Sequence, residues 1–277
     1  MGIRFVTAGL LLLGFVAATK GPASLRISRR SLVGTAIMGM ALILGGNGLV
    51  AVAEQTVPSG LAALLVGAVP LWFVLLRVSG GDRPRLLTWV GVLVGFAGIA
   101  AVSLPRGGIE GVEAWGVVVV IIATMSWAVG SYVSPRLHIP KDAMVSTAYE
   151  MLIGGVLLLA VAGSVGELGD FEVASLGADG WLAIGYLVTV GSLVGYTAYV
   201  YLLSHAPLSL VGTYAYVNPV VAVFLGWLIL NEPVTGVVVA GGLLVVLGVA
   251  FVVRGERPRP AEPEIDVAPE PALSRRS

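Results

Sequence analysis

The chain has 277 residues, 57% of them hydrophobic and 12% charged, with 38 glycines, no cysteine, two histidines and a formal net charge of zero. An average soluble domain carries about twice that share of charge, so there is too little here to wet a globular surface. Without cysteine there are no disulfides, thiolate metal sites or thiol nucleophiles, and the neutral balance argues against a nucleic-acid partner.

Nine apolar runs follow one another, each close to the roughly 20 helical residues that cross a hydrocarbon core of about 30 Å. They span Ile3 to Thr19, Ser31 to Ala53, Pro58 to Leu76, Leu86 to Leu104, Trp115 to Ser134, Met144 to Ala162, Trp181 to Leu203, Leu208 to Leu230, and Val234 to Val253. Backbone groups in lipid must be paired within the segment, so runs of this length predict helices. A transmembrane barrel would show alternating strands of about ten residues, and that pattern is absent. The expected fold is an all-α polytopic membrane helix bundle. The stretch MGIRFVTAGLLLLGFVAA has the look of a leader, but cleavage would deliver Lys20, Arg26, Arg29 and Arg30 to the outer side. It is therefore read as a retained span.

Between the runs, 14 of the 16 basic residues fall in alternate linkers and in the tail, which the positive-inside rule makes cytoplasmic. The opposite side collects Glu110, Glu113, Glu167, Asp170, Glu172, Asp179 and Glu232. The first run then starts outside and the C-terminus lies inside. Residues 254–277, rich in proline and charge, read as a disordered cytoplasmic tail.

Shifting the chain by 149 residues aligns Pro58 with Pro207, Pro70 with Pro219 and Pro84 with Pro233. Arg83 then faces Glu232, a change of sign that places the two loops on opposite sides. Two copies inserted in opposite orientation are expected, a transporter architecture with its site near the midplane. The second copy begins near Trp115, so its partner would begin before Met1, and the first repeat is expected to lack its first helix. The domain reading is a first repeat over 1–108, a second over 109–253 and the tail. Nine helices thus stand for two inverted five-helix repeats.

The stretches Asn47 to Leu71, Ser126 to Leu137 (SWAVGSYVSPRL), Tyr149 to Gly155 (YEMLIGG) and Thr213 to Thr235 (TYAYVNPVVAVFLGWLILNEPVT) closely resemble the EamA family of the drug/metabolite transporter superfamily. Within it they look most like its metabolite or drug exporters. The resemblance implies ten helices in two inverted repeats and a small-molecule substrate. The family's first helix, which usually carries a Trp-Gly-Ser type motif lining the central cavity, is the one expected to be missing from the first repeat.

Glu150 lies about 9 Å inside its run at 1.5 Å per residue, within hydrocarbon depth. Ionisable groups there are costly, face the bundle interior and mark functional sites. Glu150 is therefore a candidate for proton coupling or for holding an amine, against a structural carboxyl paired with a neighbour. Asn47 and Glu54 share a face. Asn47 lines a cavity or makes an interhelical hydrogen bond, and Glu54 is a gate or an interfacial acid. Pro70 and Pro219, both mid-helix, are expected to kink their helices as paired hinges. Tyr214 and Asn218 lie four apart, with Asn218 beside the carbonyls freed by Pro219. Trp127, Tyr196 and Tyr199 offer an apolar or cation-π surface for a ligand, or plain packing. The substrate pathway is accordingly expected to include Asn47, Trp127, Glu150, Tyr196, Tyr214 and Asn218.

Gly91 and Gly95 form a GxxxG pair, expected to pack within the bundle rather than at a homodimer interface. His138 and His205 sit in basic-side linkers. Lys20 and Lys141 lack a Walker A context, so neither ATP-driven transport nor any cofactor or metal is expected. An intramembrane enzyme would need convergent acids or a nucleophile and base at one depth, and only Glu150 is placed so. The expectation is an inner-membrane secondary exporter of small metabolites, amino-acid-like or drug-like, working by alternating access, with the lipid bilayer as its medium. The alternative is a truncated, non-transporting relative or scaffold.

Overall fold

A computed structural model of the chain describes residues 1–57, 59–103, 113–167, 177–218, 221, 224, 228 and 236–256. Among these residues every regular element is helical. Six helices are long and apolar enough to cross a membrane. They are α1 (Gly2–Lys20), α2 (Arg29–Ala53), α3 (Leu61–Ser79), α5 (Ala114–Arg136), α6 (Ala143–Ser164) and α7 (Ala178–His205). Two more apolar helices, α4 (Leu86–Ser103) and α9 (Gly236–Gly255), complete the long elements. Between α7 and α9 runs α8 (Leu208–Gly212), followed by helical residues 214–218. Nine of the 23 residues of the run expected from Leu208 to Leu230, Pro219 among them, lie outside the described residues, as do 257–277 of the tail.

Local chemistry starts these helices where the apolar runs begin. Ser28 accepts a hydrogen bond from the Ser31 amide at 3.1 Å to open α2, and Asp142 accepts one from the Met144 amide at 3.0 Å to open α6. Pro207, with no amide hydrogen to leave unsatisfied, sits at the start of α8.

Three of the runs are not the plain helices their hydropathy suggests. In α2, residues Gly39–Gly48 form a ten-residue π-helical stretch, and in α7 residues Leu187–Tyr196 form another of the same length. Such wide turns are uncommon and cluster at functional sites. In α3 the helix breaks at Gly67 and Ala68 and resumes at Val69. Pro70 therefore stands in the first turn of the resumed helix, where its missing amide hydrogen is harmless, and not in a kinked helix interior.

The packing is that of a protein dissolved in lipid. Leu10, Phe15, Leu93, Val118, Ile122, Leu182, Leu243 and Val246 point outward, while Thr35, Thr88, Ser131, Ser146, Thr147, Glu150, Ser192 and Ser209 are buried. Water would reverse that preference. The main core joins α1, α2, α6 and α7 through Phe5, Leu12, Met38, Leu42, Ile43, Met151, Tyr196 and Leu203.

Backbone meets backbone where α4 crosses α9. A Cβ added at Gly248 would stand 2.5 Å from the Gly95 nitrogen and 2.7 Å from the Gly91 oxygen. The GxxxG face of α4 is thus filled inside the bundle, because only helices without side chains at the crossing can approach so closely.

At the end of the bundle holding the basic linkers, ion pairs tie helix termini together. Lys20 at the end of α1 bonds Asp142 at the start of α6. Arg77 at the end of α3 donates to Glu256 beyond α9 at 2.8 Å, to Asp82 at 2.7 Å and to Ser209 of α8.

Candidate functional site

A cavity of about 550 Å³ lies between α1, α2, α3, α5, α7 and the α8 region. That is within the usual range for small-molecule sites. Its walls come from both π-helical stretches, which contribute Gly46 and Asn47 on one side and Gly191, Gly195 and Tyr196 on the other. The break in α3 borders it too, through Val66 and Val69.

Asn47 lines this cavity while its amide donates to the Leu42 carbonyl at 3.1 Å, satisfying a backbone group of its own π-helical stretch. Its side chain thus serves the local fold and still faces the cavity.

The aromatic wall is built from Trp127, Tyr196, Tyr199 and Tyr214, all of them lining residues. Trp127 and Tyr199 have ring centroids 4.9 Å apart, and Tyr199 and Tyr214 meet edge to face at 5.2 Å. A closed relay locks part of this wall. The Trp127 indole donates to the Tyr199 hydroxyl at 2.7 Å, and the Ser131 hydroxyl donates to the Trp127 carbonyl at 2.7 Å. Ser131 and Tyr199 lie 2.6 Å apart, and with the Ser131 proton already engaged, Tyr199 is the donor between them. Every donor in the ring has an acceptor, so Trp127 is held in one orientation without strain. Asn218 also lines the cavity.

Glu150 is fully buried but is not a lining residue. It sits one layer behind the wall, accepting from Ser146 at 2.8 Å and from the Tyr196 hydroxyl at 3.0 Å. Tyr196 therefore separates the carboxylate from the cavity. Glu54 lies apart from this group, exposed in the turn that ends α2. Pro70 caps the resumed half of α3 next to Val69 of the wall, and Pro219 lies outside the described residues.

Among described residues the cavity has one charged lining residue, Arg4, in the first turn of α1. No periodic signal marks it, since a lone arginine near a helix start resembles an ordinary interfacial anchor. Ser131, Ser192 and Phe5 were likewise unmarked, because a serine or phenylalanine in an apolar run is common. No cluster of three or more His, Asp or Glu that could hold a metal occurs among the described residues.

Comparison with known proteins agrees with this architecture. The model of the EamA-like transporter family matches residues 1–104 and again 114–254. An uncharacterized inner membrane transporter of Escherichia coli K12, YedA, is 38% identical over 268 residues, covering 95% of this chain and 84% of that protein. An uncharacterized transporter of Synechocystis is 26% identical, covering 90% of this chain and 77% of its own length. A protein of known crystal structure, 20% identical, superposes with a TM-score of 0.74 over 92% of this chain and 88% of the other, which shows a common fold. With family matches over nearly all of its length and apolar helices of spanning length, the chain is a multi-pass membrane protein that belongs to the EamA-like transporter family.

Proposed function

We propose that this protein is a secondary transporter of the inner membrane that exports small metabolites or drug-like compounds by alternating access between two inverted repeats. The observation carrying this reading is the central cavity, whose walls are drawn from both halves of the chain. A site between two halves can be exposed to either side as one half rocks against the other, which needs no fuel beyond a gradient.

Internal symmetry supports the repeat. The two π-helical stretches are separated by 148 residues, close to the 149 that aligns the prolines, and the family model matches the chain twice. In this reading residues 1–108 and 109–253 are the two repeats, and the basic linkers and C-terminus face the cytoplasm. Asn47, Trp127, Tyr196, Tyr214 and Asn218 form the cargo wall, Pro70, beside the break in α3, and Pro219 are the paired hinge prolines, and Glu54 is an interfacial acid.

Glu150 is the proton-coupling group of this mechanism. Its two hydroxyl donors hold it next to Tyr196, so a movement of that ring on cargo binding changes what the carboxylate touches. The test is flux into proteoliposomes holding the full chain, with labelled amino acids, small apolar carboxylates and amphipathic drugs, with and without a pH gradient. Counterflow above protein-free vesicles is expected for some of these. Glu150→Gln should keep exchange but lose the response to the gradient. Absence of counterflow across the whole panel would refute transport by this chain, and a gradient response kept by Glu150→Gln would remove that residue from the coupling.

A further inference from the structure

We infer that Arg4 is an anion-binding group, and that the cavity takes small carboxylates with an apolar body. The inference rests on the cavity being the cargo site and goes further by naming the chemistry of the cargo.

Arg4 sits in the first turn of α1, where a positive charge opposes the helix dipole, and no acidic residue accompanies it there. Helix stability therefore gives no reason for an arginine at this position. An arginine that merely anchors a helix end reaches outward to the headgroups. Here the side chain turns inward and crosses to α7, where its Nε donates to Ser192 Oγ at 2.8 Å.

Three features hold the guanidinium in place. Ser192, fully buried, takes the Nε hydrogen. The guanidinium carbon lies 4.7 Å from the centroid of the Phe5 ring. Gly191 leaves the space that the group needs, since a Cβ there would stand 2.9 Å from Nη2. A weak contact of 3.8 Å runs from Nη1 to the Met1 sulfur.

The charge is thus positioned, and no described residue neutralises it. No carboxylate of a described residue lies within 4.0 Å of it, in contrast to Arg77, which has two. A guanidinium offers five donors in a planar fork suited to a carboxylate, and the described residues take only the Nε hydrogen and a weak contact at Nη1. The rest of the cavity tells what the body of such an anion should be. Its other described walls are mainly aromatic and aliphatic, from Trp127, Tyr214 and Val50, with the amides of Asn47 and Asn218 and the hydroxyl of Thr124 among the polar exceptions. A second, cationic group on the cargo would find no acid among the described residues of the wall, because Glu150 is screened by Tyr196. The fit is to a monoanion rather than to a cation.

The experiment uses the full chain in lipid nanodiscs and titration calorimetry, with indole-3-acetate, benzoate and octanoate as anions and tryptamine as the cationic isostere of the first. At least one carboxylate should bind, ten-fold or more tighter than tryptamine. Arg4→Gln should weaken that carboxylate at least ten-fold, and Arg4→Lys should weaken it less. Gly191→Leu, which crowds the guanidinium from the backbone opposite, should reproduce the Gln effect without touching the charge. Circular dichroism and the thermal midpoint report that each variant is folded. Failure of all three carboxylates to bind, tryptamine binding as tightly, or unchanged carboxylate affinity in a folded Arg4→Gln variant would overturn the assignment. Because the readout is binding, it stands or falls separately from flux, and absence of counterflow with intact carboxylate binding would count against transport alone.

Discussion

Gly248 gives the sharpest test of the packing. A Cβ placed there would lie 2.5 Å from the Gly95 nitrogen, 2.6 Å from its Cα and 2.7 Å from the Gly91 oxygen. Comfortable contact begins near about 3.5 Å, so Gly248→Ala must push α4 and α9 apart by roughly 1 Å. The obstructing atoms are backbone and cannot rotate away. Inserting one methyl group into such a contact costs about 1–3 kcal/mol. Gly242 supplies the control, since it lies on the same helix and a Cβ there would meet nothing within 4 Å. The intrinsic change in helix propensity from glycine to alanine is common to both substitutions and cancels in their difference. The difference in unfolding free energy, read from denaturation in bicelles, should therefore be about 1–3 kcal/mol with Gly248→Ala the weaker protein. If the two alanine variants unfold alike, α4 and α9 are not in backbone contact and the account of the seam is wrong.

Two further predictions concern the ion pairs at the basic end. The bond from Lys20 holds the Asp142 carboxyl below the usual carboxylate range, helped by the Met144 amide. A value depressed in the folded state means that this stabilisation is present above the ordinary pKa of about 3.9 and lost as pH falls through the folded value. Asp142→Asn should flatten that acid-side loss by less than about 1 kcal/mol, the worth of a half-exposed pair. Asp142→Ala should cost about 1 kcal/mol more at every pH by removing the helix cap. Thermal midpoints from pH 7 to pH 3 check both, and parallel profiles for the Asp142→Asn variant and the native protein would contradict the assignment. At the other pair, Glu256→Ala should destabilise the protein by roughly 1–3 kcal/mol, because it strips a charged partner from Arg77 while Asp82 remains. Unfolding in bicelles measures this, and a change within error would show that the Arg77 cluster does not tie α3 to α9.

The class of protein and the position of most spans were legible in the amino-acid sequence. Lipid offers no partner for backbone groups, so a chain that crosses it repeatedly must carry apolar runs of nearly fixed length, and such runs are visible without knowing any contact. Family membership was equally legible, from stretches such as that containing Tyr214 and Asn218. What the helices do with their faces was not. A helix apolar all round has no periodic stripe to say which side meets which neighbour. So the sequence could place Glu150 at depth but not behind Tyr196, and could list Trp127 and Tyr199 without the relay through Ser131. Nor does hydropathy distinguish an α-helix from the π-helical stretches that border the cavity, since both satisfy the backbone internally. Arg4 shows the limit best. By composition it is one charge at the start of an apolar run, and only the approach of α7, with Ser192 to accept its hydrogen and Gly191 to make room, turns it from the membrane surface into the cavity.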